Sequence, residues 1–319
     1  MDMLVEVKNL KKYFLRKSFF SIKSDVVRAV DDISFYIKKG ETFGLIGESG
    51  CGKSTTGKLI LRLIEPTGGK VYFEGHDIFK MNNKEIKNLR RKMQIIFQDP
   101  FASLNPRMTI EQIIAEPLKI HKLANGTELK RRVLDLMELV GLNPELATRY
   151  PHELSGGQRQ RVGIARALAV EPIFIVADEP VSSLDVSIRA QILNLIQDLQ
   201  KNLGLTYLFI THDLSTIKYL SNRIAVMYLG KIVEIGKTED IFNDPLHPYT
   251  KALLSAIPIP DPEIRRERIL LKGEIPSPIN PPTSCRFHTR CPVKNKICEI
   301  KEPKLKEVKN GHLVACHLI

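Results

Sequence analysis

Gly47-Glu48-Ser49-Gly50-Cys51-Gly52-Lys53-Ser54 is a G-x-x-x-x-G-K-[ST] run. It follows the apolar stretch Thr42–Ile46 and leads into Thr55-Thr56-Gly57-Lys58-Leu59-Ile60-Leu61, where a strand should hand over to a helix. In that context such a run binds phosphate. Its glycines let the backbone curl with N–H groups facing inward, and a helix beginning near Lys53 adds a partial positive charge at the same place. Gly47, Ser49, Gly50, Cys51, Gly52, Lys53, Ser54 and Thr55 are therefore the expected phosphate ligands. Lys53 is expected on the outer phosphates and the Ser54 hydroxyl in a Mg²⁺ shell. Spacing, flanks and hydroxyl argue against the alternative, a glycine-rich turn without a ligand.

Four further sites carry chemistry. The apolar run Ile173–Ala177 ends in Asp178-Glu179. In phosphate-loop proteins an acid at such a strand end holds Mg²⁺ and a second acid polarises the attacking water. Two adjacent carboxylates there are costly unless a metal or donors satisfy them. Gln98 follows the run Arg90–Phe97, read as a short buried strand. It either reaches metal or water or is an ordinary loop amide, and position alone favours the amide. His212 follows the strand run Thr206–Ile210, and open α/β sheets bind ligands at the carboxyl ends of their strands, so it is expected on the γ-phosphate. Leu154-Ser155-Gly156-Gly157-Gln158 carries a capping box at a helix start, a second anion site with its backbone exposed. One nucleotide in one chain has no evident need of both anion sites. Two chains facing head to tail would use both.

The elements that position these groups follow from periodicity. Leu4–Val7 and Ile33–Ile37 alternate as antiparallel strands around a basic loop containing Tyr13, Phe14, Phe19 and Phe20, of which Tyr13 is expected to stack on adenine. The first helix is expected to run to Ile64 and a strand to cover Lys70–Phe73. Residues 100–155 read as mostly helical, with a capping box at Thr109/Gln112 and Pro117 kinking the first helix. A second helix is expected from about Thr127 to Val140, stopped by Gly141. Ser182-Ser183-Leu184-Asp185 opens an amphipathic helix closed by Gly204. Ile224–Leu229 and Lys231–Ile235 form a hairpin that finishes the domain.

The 319 residues allow one large domain with an appendage, or two domains. The net charge of +12 suits nucleic acid, an anionic membrane face or an acidic partner, or is simply a solvated basic surface. No run approaches the roughly 20 apolar residues of a membrane span. The N-terminus shows no signal-peptide core, so a cytosolic protein is expected.

The ordered set of phosphate loop, Gln98, Leu154–Gln158, Asp178-Glu179, Ser182–Asp185 and His212 resembles the nucleotide-binding domain of ATP-binding cassette (ABC) ATPases over about residues 1–240. The LSGGQ segment is its most specific part. Phe97–Met108, Asp178–Arg189 and Pro245-Leu246-His247-Pro248-Tyr249-Thr250 further resemble the F-type ATPase of oligopeptide/dipeptide importers. Ser183 stands where many relatives have Ala. The resemblance implies an α/β fold: a P-loop NTPase core with antiparallel-β and helical subdomains, the latter at about 100–158, and a small extension at 241–319. It implies ATP and Mg²⁺ as cofactors, with Ser54, Gln98 and Asp178 ordering the metal and Glu179, His212, Lys53 and Gln98 serving catalysis. Ser155, Gly156, Gly157, Gln158 and Asp185 would meet the nucleotide. The implied partners are a second, homologous ABC ATPase, two transmembrane permease subunits and, indirectly, an extracellular solute-binding protein, with no nucleic acid. The implied location is the cytoplasmic face of the cell membrane, as a peripheral subunit. Relatives serve peptides, nickel and sugars, so the cargo stays open. The rivals are a non-transport ABC ATPase acting on nucleic acid or ribosomes, and a regulatory ATPase. The first usually carries a coiled-coil insertion or tandem cassettes, and this chain shows neither.

Seven prolines at 258–282 read as an extended linker. Beyond it Cys285, Cys291, Cys298 and Cys316 are spaced C-x5-C-x6-C-x17-C. In a cytosolic protein four such thiols suggest a metal centre rather than disulfides. The spacing fits zinc poorly and an iron–sulfur cluster acceptably, and free thiols are the other reading. A [4Fe–4S] cluster has been associated with some relatives, and His288, His312 and His317 are possible substitute ligands.

Overall fold

The computed structural model describes residues 3–16, 25–257, 268–274 and 276–319. Phe19, Phe20 and the linker prolines Pro258, Pro260 and Pro262 lie outside the described residues. The chain forms two compact bodies, one of Met1–Lys38, Thr42–Phe79 and Ile210–Ile319, the other of Lys39–Glu41 and Lys80–Phe209.

The first body holds two sheets. In one, the strands run in the order Asp25–Lys38, Met3–Arg16, Gly68–Phe73 and His76–Asp77, antiparallel throughout. Tyr13 and Phe14 are part of Met3–Arg16 rather than of a loop. In the other, Thr42–Ile46 pairs in parallel with Arg223–Tyr228, whose hairpin partner is Lys231–Lys237. All five residues of Thr42–Ile46 are buried, in keeping with the apolar Phe43, Leu45 and Ile46 on a strand covered on both faces. The first helix is short, Lys53–Ile60, and does not reach Ile64.

The sheet does not stop at the hairpin of Arg223–Tyr228 and Lys231–Lys237. Strand His312–Val314 pairs antiparallel with Lys231–Lys237, and Lys306–Lys309 pairs with His312–Val314, so the C-terminal extension continues the sheet. A buried polar knot fastens it. The carboxylate of Glu234, fully buried, accepts from the backbone N–H of Leu246 (2.7 Å) and His247 (3.0 Å) and from His312 Nε2 (2.8 Å). His312→Ala removes one donor from a carboxylate that water cannot reach. It should destabilise the protein by about 1–3 kcal/mol, the cost of an unsatisfied buried group, read as a lowered denaturant midpoint.

In the second body Met93–Ile96 and Phe174–Asp178 pair in parallel. The expected strand Arg90–Phe97 is only Met93–Ile96, because Arg90, Arg91 and Lys92 close the helix Asn83–Lys92. That helix is polar, with Leu89 its one buried residue, and starts at a capping box between Asn82 and Glu85. Helices Ile110–Ile120 and Gly126–Leu139 follow, burying Ile110, Ile113 and Ile114, and Val133 and Met137. The first of them runs on through Pro117. Gly204, at φ 65, ends the helix Val186–Leu203 in the left-handed conformation that glycine adopts most readily.

Candidate nucleotide site

The phosphate loop lies in the first body between the buried strand Thr42–Ile46 and the helix Lys53–Ile60. Two of its glycines are dictated by close approach. Gly47 has φ 153, and a Cβ there would lie 2.1 Å from the Met227 carbonyl oxygen. Gly52 has φ 109, and a Cβ would lie 2.1 Å from the Ala29 carbonyl oxygen. Side chains are excluded at both, leaving a bare backbone curl in front of a helix N-terminus, which favours anions. Lys53 is buried, and its Nζ donates to the carbonyls of Gly47 (2.8 Å) and Glu48 (3.1 Å). The ammonium is thus parked within the loop, satisfied by two carbonyls. Ser54 and Thr55 stand partly exposed in the first helical turn. Cys51 is buried, which pushes its thiol pKa up and keeps it protonated.

His212 is also in the first body, exposed just beyond the strand Thr206–Thr211. Asp213 after it caps the next helix by accepting from the backbone N–H of Ser215 and Thr216. Tyr13 is half-buried. Its hydroxyl donates to Asp31 (2.5 Å), and the Arg28 guanidinium lies 5.7 Å from its ring centre. Burial, together with that hydrogen bond, pushes the Tyr13 hydroxyl up to about 12.

The second body holds the carboxylates and the signature segment. Asp178 is buried at the end of Phe174–Asp178. Glu179 follows with φ 47, a left-handed backbone in a non-glycine residue, which costs on the order of 1–3 kcal/mol and clusters at functional sites. Its carbonyl accepts from Ser182 Oγ (3.1 Å), and its carboxylate accepts from Gln98 Nε2 (3.1 Å). Gln98 is thus not a bare loop amide: it holds the carboxylate expected to act on water.

At the signature, the Ser155 hydroxyl accepts from Gln158 N–H (3.3 Å), and Ser155 N–H donates to Gln158 Oε1 (2.9 Å), opening the helix Gly156–Leu168. Gly157, expected as exposed backbone, is buried. A Cβ there would lie 2.5 Å from Ile188 Cγ2, so the glycine admits the helix Val186–Leu203, whose N-cap is the exposed Asp185. Gly157→Ala should therefore lower stability by about 1–3 kcal/mol through overpacking. Ile188→Ala in the same chain should recover much of the loss in thermal melts.

Residues outside the motif also hold the loop. Glu48 N–H donates to Tyr249 Oη (3.0 Å), and Arg290 makes two hydrogen bonds to the Glu48 carboxylate (2.7 and 3.2 Å). Tyr249 belongs to the segment Pro245–Thr250 that carries the family resemblance. Arg290 has no local signal beyond its place between two cysteines.

All five cysteines are free thiols. Burial pushes Cys285 up to about 11, with Cys298, Cys316 and Cys291 near enough to push the same way. Cys285 N–H donates to the Cys298 carbonyl (3.2 Å), and Cys298 Sγ donates to Asn295 Oδ1 (3.1 Å). The cysteines gather in one region, yet among the described residues no group of three or more His, Cys, Asp or Glu is arranged to hold a metal ion. The histidines have other roles: His288 Nδ1 meets the Cys285 carbonyl, His317 Nε2 the Lys301 carbonyl, and His312 binds Glu234. The geometry therefore gives the iron–sulfur expectation no support. Among the described residues no helix is long and apolar enough to cross a membrane.

Residues 30–182 match the ABC transporter family, and residues 233–298 match the oligopeptide/dipeptide transporter C-terminal region. The putative oligopeptide transport ATP-binding protein YkfD of Bacillus subtilis is 56% identical over 99% of this chain and 95% of its own. The oligopeptide transport ATP-binding protein AppF of the same organism is 52% identical over 99% and 98%. Among solved structures, the ATP-binding cassette MJ0796, a dimer in a post-hydrolysis state bound to ADP and Pi, aligns with TM-score 0.66 and 32% identity, covering 73% of this chain and 98% of that one. With its phosphate loop, its signature helix and full-length likeness to these relatives, the chain belongs to the ATP-binding subunits of the oligopeptide/dipeptide ABC transporter family.

Proposed function

We propose that this chain is the ATP-hydrolysing subunit of an ABC importer that energises uptake of di- or oligopeptides through two membrane permease subunits. The observation that carries this reading is the C-terminal match at 233–298, joined to full-length similarity to oligopeptide transport ATP-binding proteins. The cassette is assigned to residues 1–240, with its helical subdomain at about 100–158, and the transporter-specific extension to 241–319. Tyr13 is assigned to adenine, residues 47–55 to the phosphates, and Ser54, Gln98 and Asp178 to Mg²⁺. The metal supplies charge neutralisation on the β- and γ-phosphates. Glu179 orients and polarises the attacking water, while Lys53 and His212 stabilise charge on the γ-phosphate.

Ser155–Gln158 and Asp185 are assigned to the nucleotide held by a second, homologous ATPase. The likeness to a cassette solved as a dimer with ADP and Pi supports the pairing of two ATPases, which we take to be head to tail. ATP then bridges two subunits and ADP does not, so hydrolysis opens the pair. The subunit sits on the cytoplasmic face of the membrane, and an extracellular solute-binding protein supplies the peptide. Mg²⁺-dependent ATPase activity, with co-purification of two membrane proteins and a second ATPase, tests the proposal. Nucleic-acid binding that weakens steeply with salt would instead favour the non-transport reading. For the cysteines, the support for a [4Fe–4S] cluster is their spacing and the family resemblance. Protein purified anaerobically would be brown with about four irons per chain; a colourless, iron-free preparation with full activity removes the cluster.

A further inference from the structure

We propose that Arg290 of the C-terminal extension is a positioning residue for the phosphate loop: it clamps and neutralises Glu48, so that the extension sets the affinity of the loop for ATP. The inference rests on the assignment of residues 47–55 to the phosphates of ATP.

The loop motif leaves position 48 unspecified, and here a glutamate occupies it. A carboxylate in a loop that receives a polyphosphate is electrostatically adverse, since like charges at close range repel. In this structure that carboxylate is not left to solvent. Arg290 approaches it with two nitrogens, Nη1 at 2.7 Å and Nη2 at 3.2 Å, the fork-to-fork geometry that makes arginine–carboxylate pairs strong and directional. The pair is shielded, with 8% of the Arg290 side chain exposed and 24% of that of Glu48. It is therefore less screened than a surface pair.

The clamp has a rigid seat. The Arg290 guanidinium lies 6.0 Å from the centre of the Tyr228 ring, which meets Tyr249 edge-on at 4.7 Å and Phe287 at 5.3 Å. Tyr249 from the same cluster accepts the Glu48 N–H. Residue 48 is thus held at its backbone and at its side chain by residues beyond the cassette. Its carbonyl and that of Gly47 are the acceptors of Lys53 Nζ, so a displaced Glu48 displaces the lysine's partners as well. Arg286, in the same segment as Arg290, donates to Asp31, which also accepts the Tyr13 hydroxyl.

The test is a set of full-length variants read by ATP titration and by the split between KM and kcat. Arg290→Ala should weaken ATP binding and raise KM by about tenfold, as expected for loss of a shielded charged pair, with a smaller effect on kcat. Arg290→Lys keeps the charge without the fork and should fall between wild type and Arg290→Ala. Glu48→Gln removes the charge that needs neutralising. In that background Arg290→Lys should no longer change KM. A merely structural arginine would give the same change in both backgrounds, and that result, or wild-type affinity in Arg290→Ala, overturns the proposal. Arg290→Lys and Glu48→Gln carry the comparison if Arg290→Ala does not fold. Lys53→Ala separates the two readings. If it binds ATP as wild type does, the phosphate-loop assignment itself is wrong; if it loses ATP while the Arg290 variants do not, only the clamp is wrong.

Discussion

Glu179→Gln should still bind ATP while turnover falls by roughly 10²–10⁴-fold, the range a positioned general base contributes. The substitution keeps the length and planarity of the side chain and removes its negative charge and basicity. The backbone that aims it should survive, since the left-handed φ of 47 is a property of the turn and the Ser182 hydroxyl donates to the main-chain carbonyl of residue 179. What changes is the group facing Gln98. The Gln98 amide donates to a carboxylate oxygen at 3.1 Å, and an amide oxygen in its place still accepts that bond but no longer takes a proton from water. Equilibrium titration with ATP and single-turnover phosphate release check the two halves separately. Hydrolysis surviving at more than about a tenth of wild type, well above that range, would reassign the base.

Lys53→Ala should weaken ATP binding by roughly 10–100-fold, because a hydrogen bond to a charged group contributes about 1.5–3 kcal/mol. The ammonium is buried within the loop and satisfied by the carbonyls of Gly47 and Glu48. It is therefore already desolvated before nucleotide arrives, and needs only to exchange carbonyl partners for phosphate oxygens. A ligand that binds only the folded state raises its stability with concentration over Kd. Saturating ATP should accordingly raise the melting temperature of wild type, and that of Lys53→Ala by only about half as much or less at the same concentration. An equal ATP-induced rise in both proteins would take the phosphates away from Lys53.

The features legible from the chain alone are those encoded within a few residues of themselves. Thr109 and Gln112, and Ser155 and Gln158, are three residues apart, and each pair closes the reciprocal capping box that its spacing announces. Gly204 ends a helix because its left-handed φ is accessible without a Cβ, and the run Thr42–Ile46 is a buried strand because every residue in it is apolar or small enough to be one. The helix that shortens the strand at Arg90–Phe97 is locally encoded too, yet it is not legible as a helix. The capping pair Asn82 and Glu85 is present in the sequence, but a helix with one buried residue has almost no apolar period to detect.

Other features depend on residues far apart in the chain, and no local pattern encodes them. Gly157 reads as exposed backbone until Ile188 is placed 2.5 Å from where its Cβ would be. The extension reads as an appendage until His312 meets Glu234 across 78 residues and Arg290 meets Glu48 across 242. Sequence by itself determined the chemistry: a phosphate loop, paired carboxylates, a signature helix and the family they mark. Only the tertiary structure decided what holds that chemistry in place, because desolvation and charge pairing act between side chains that folding brings together, whatever their separation along the chain.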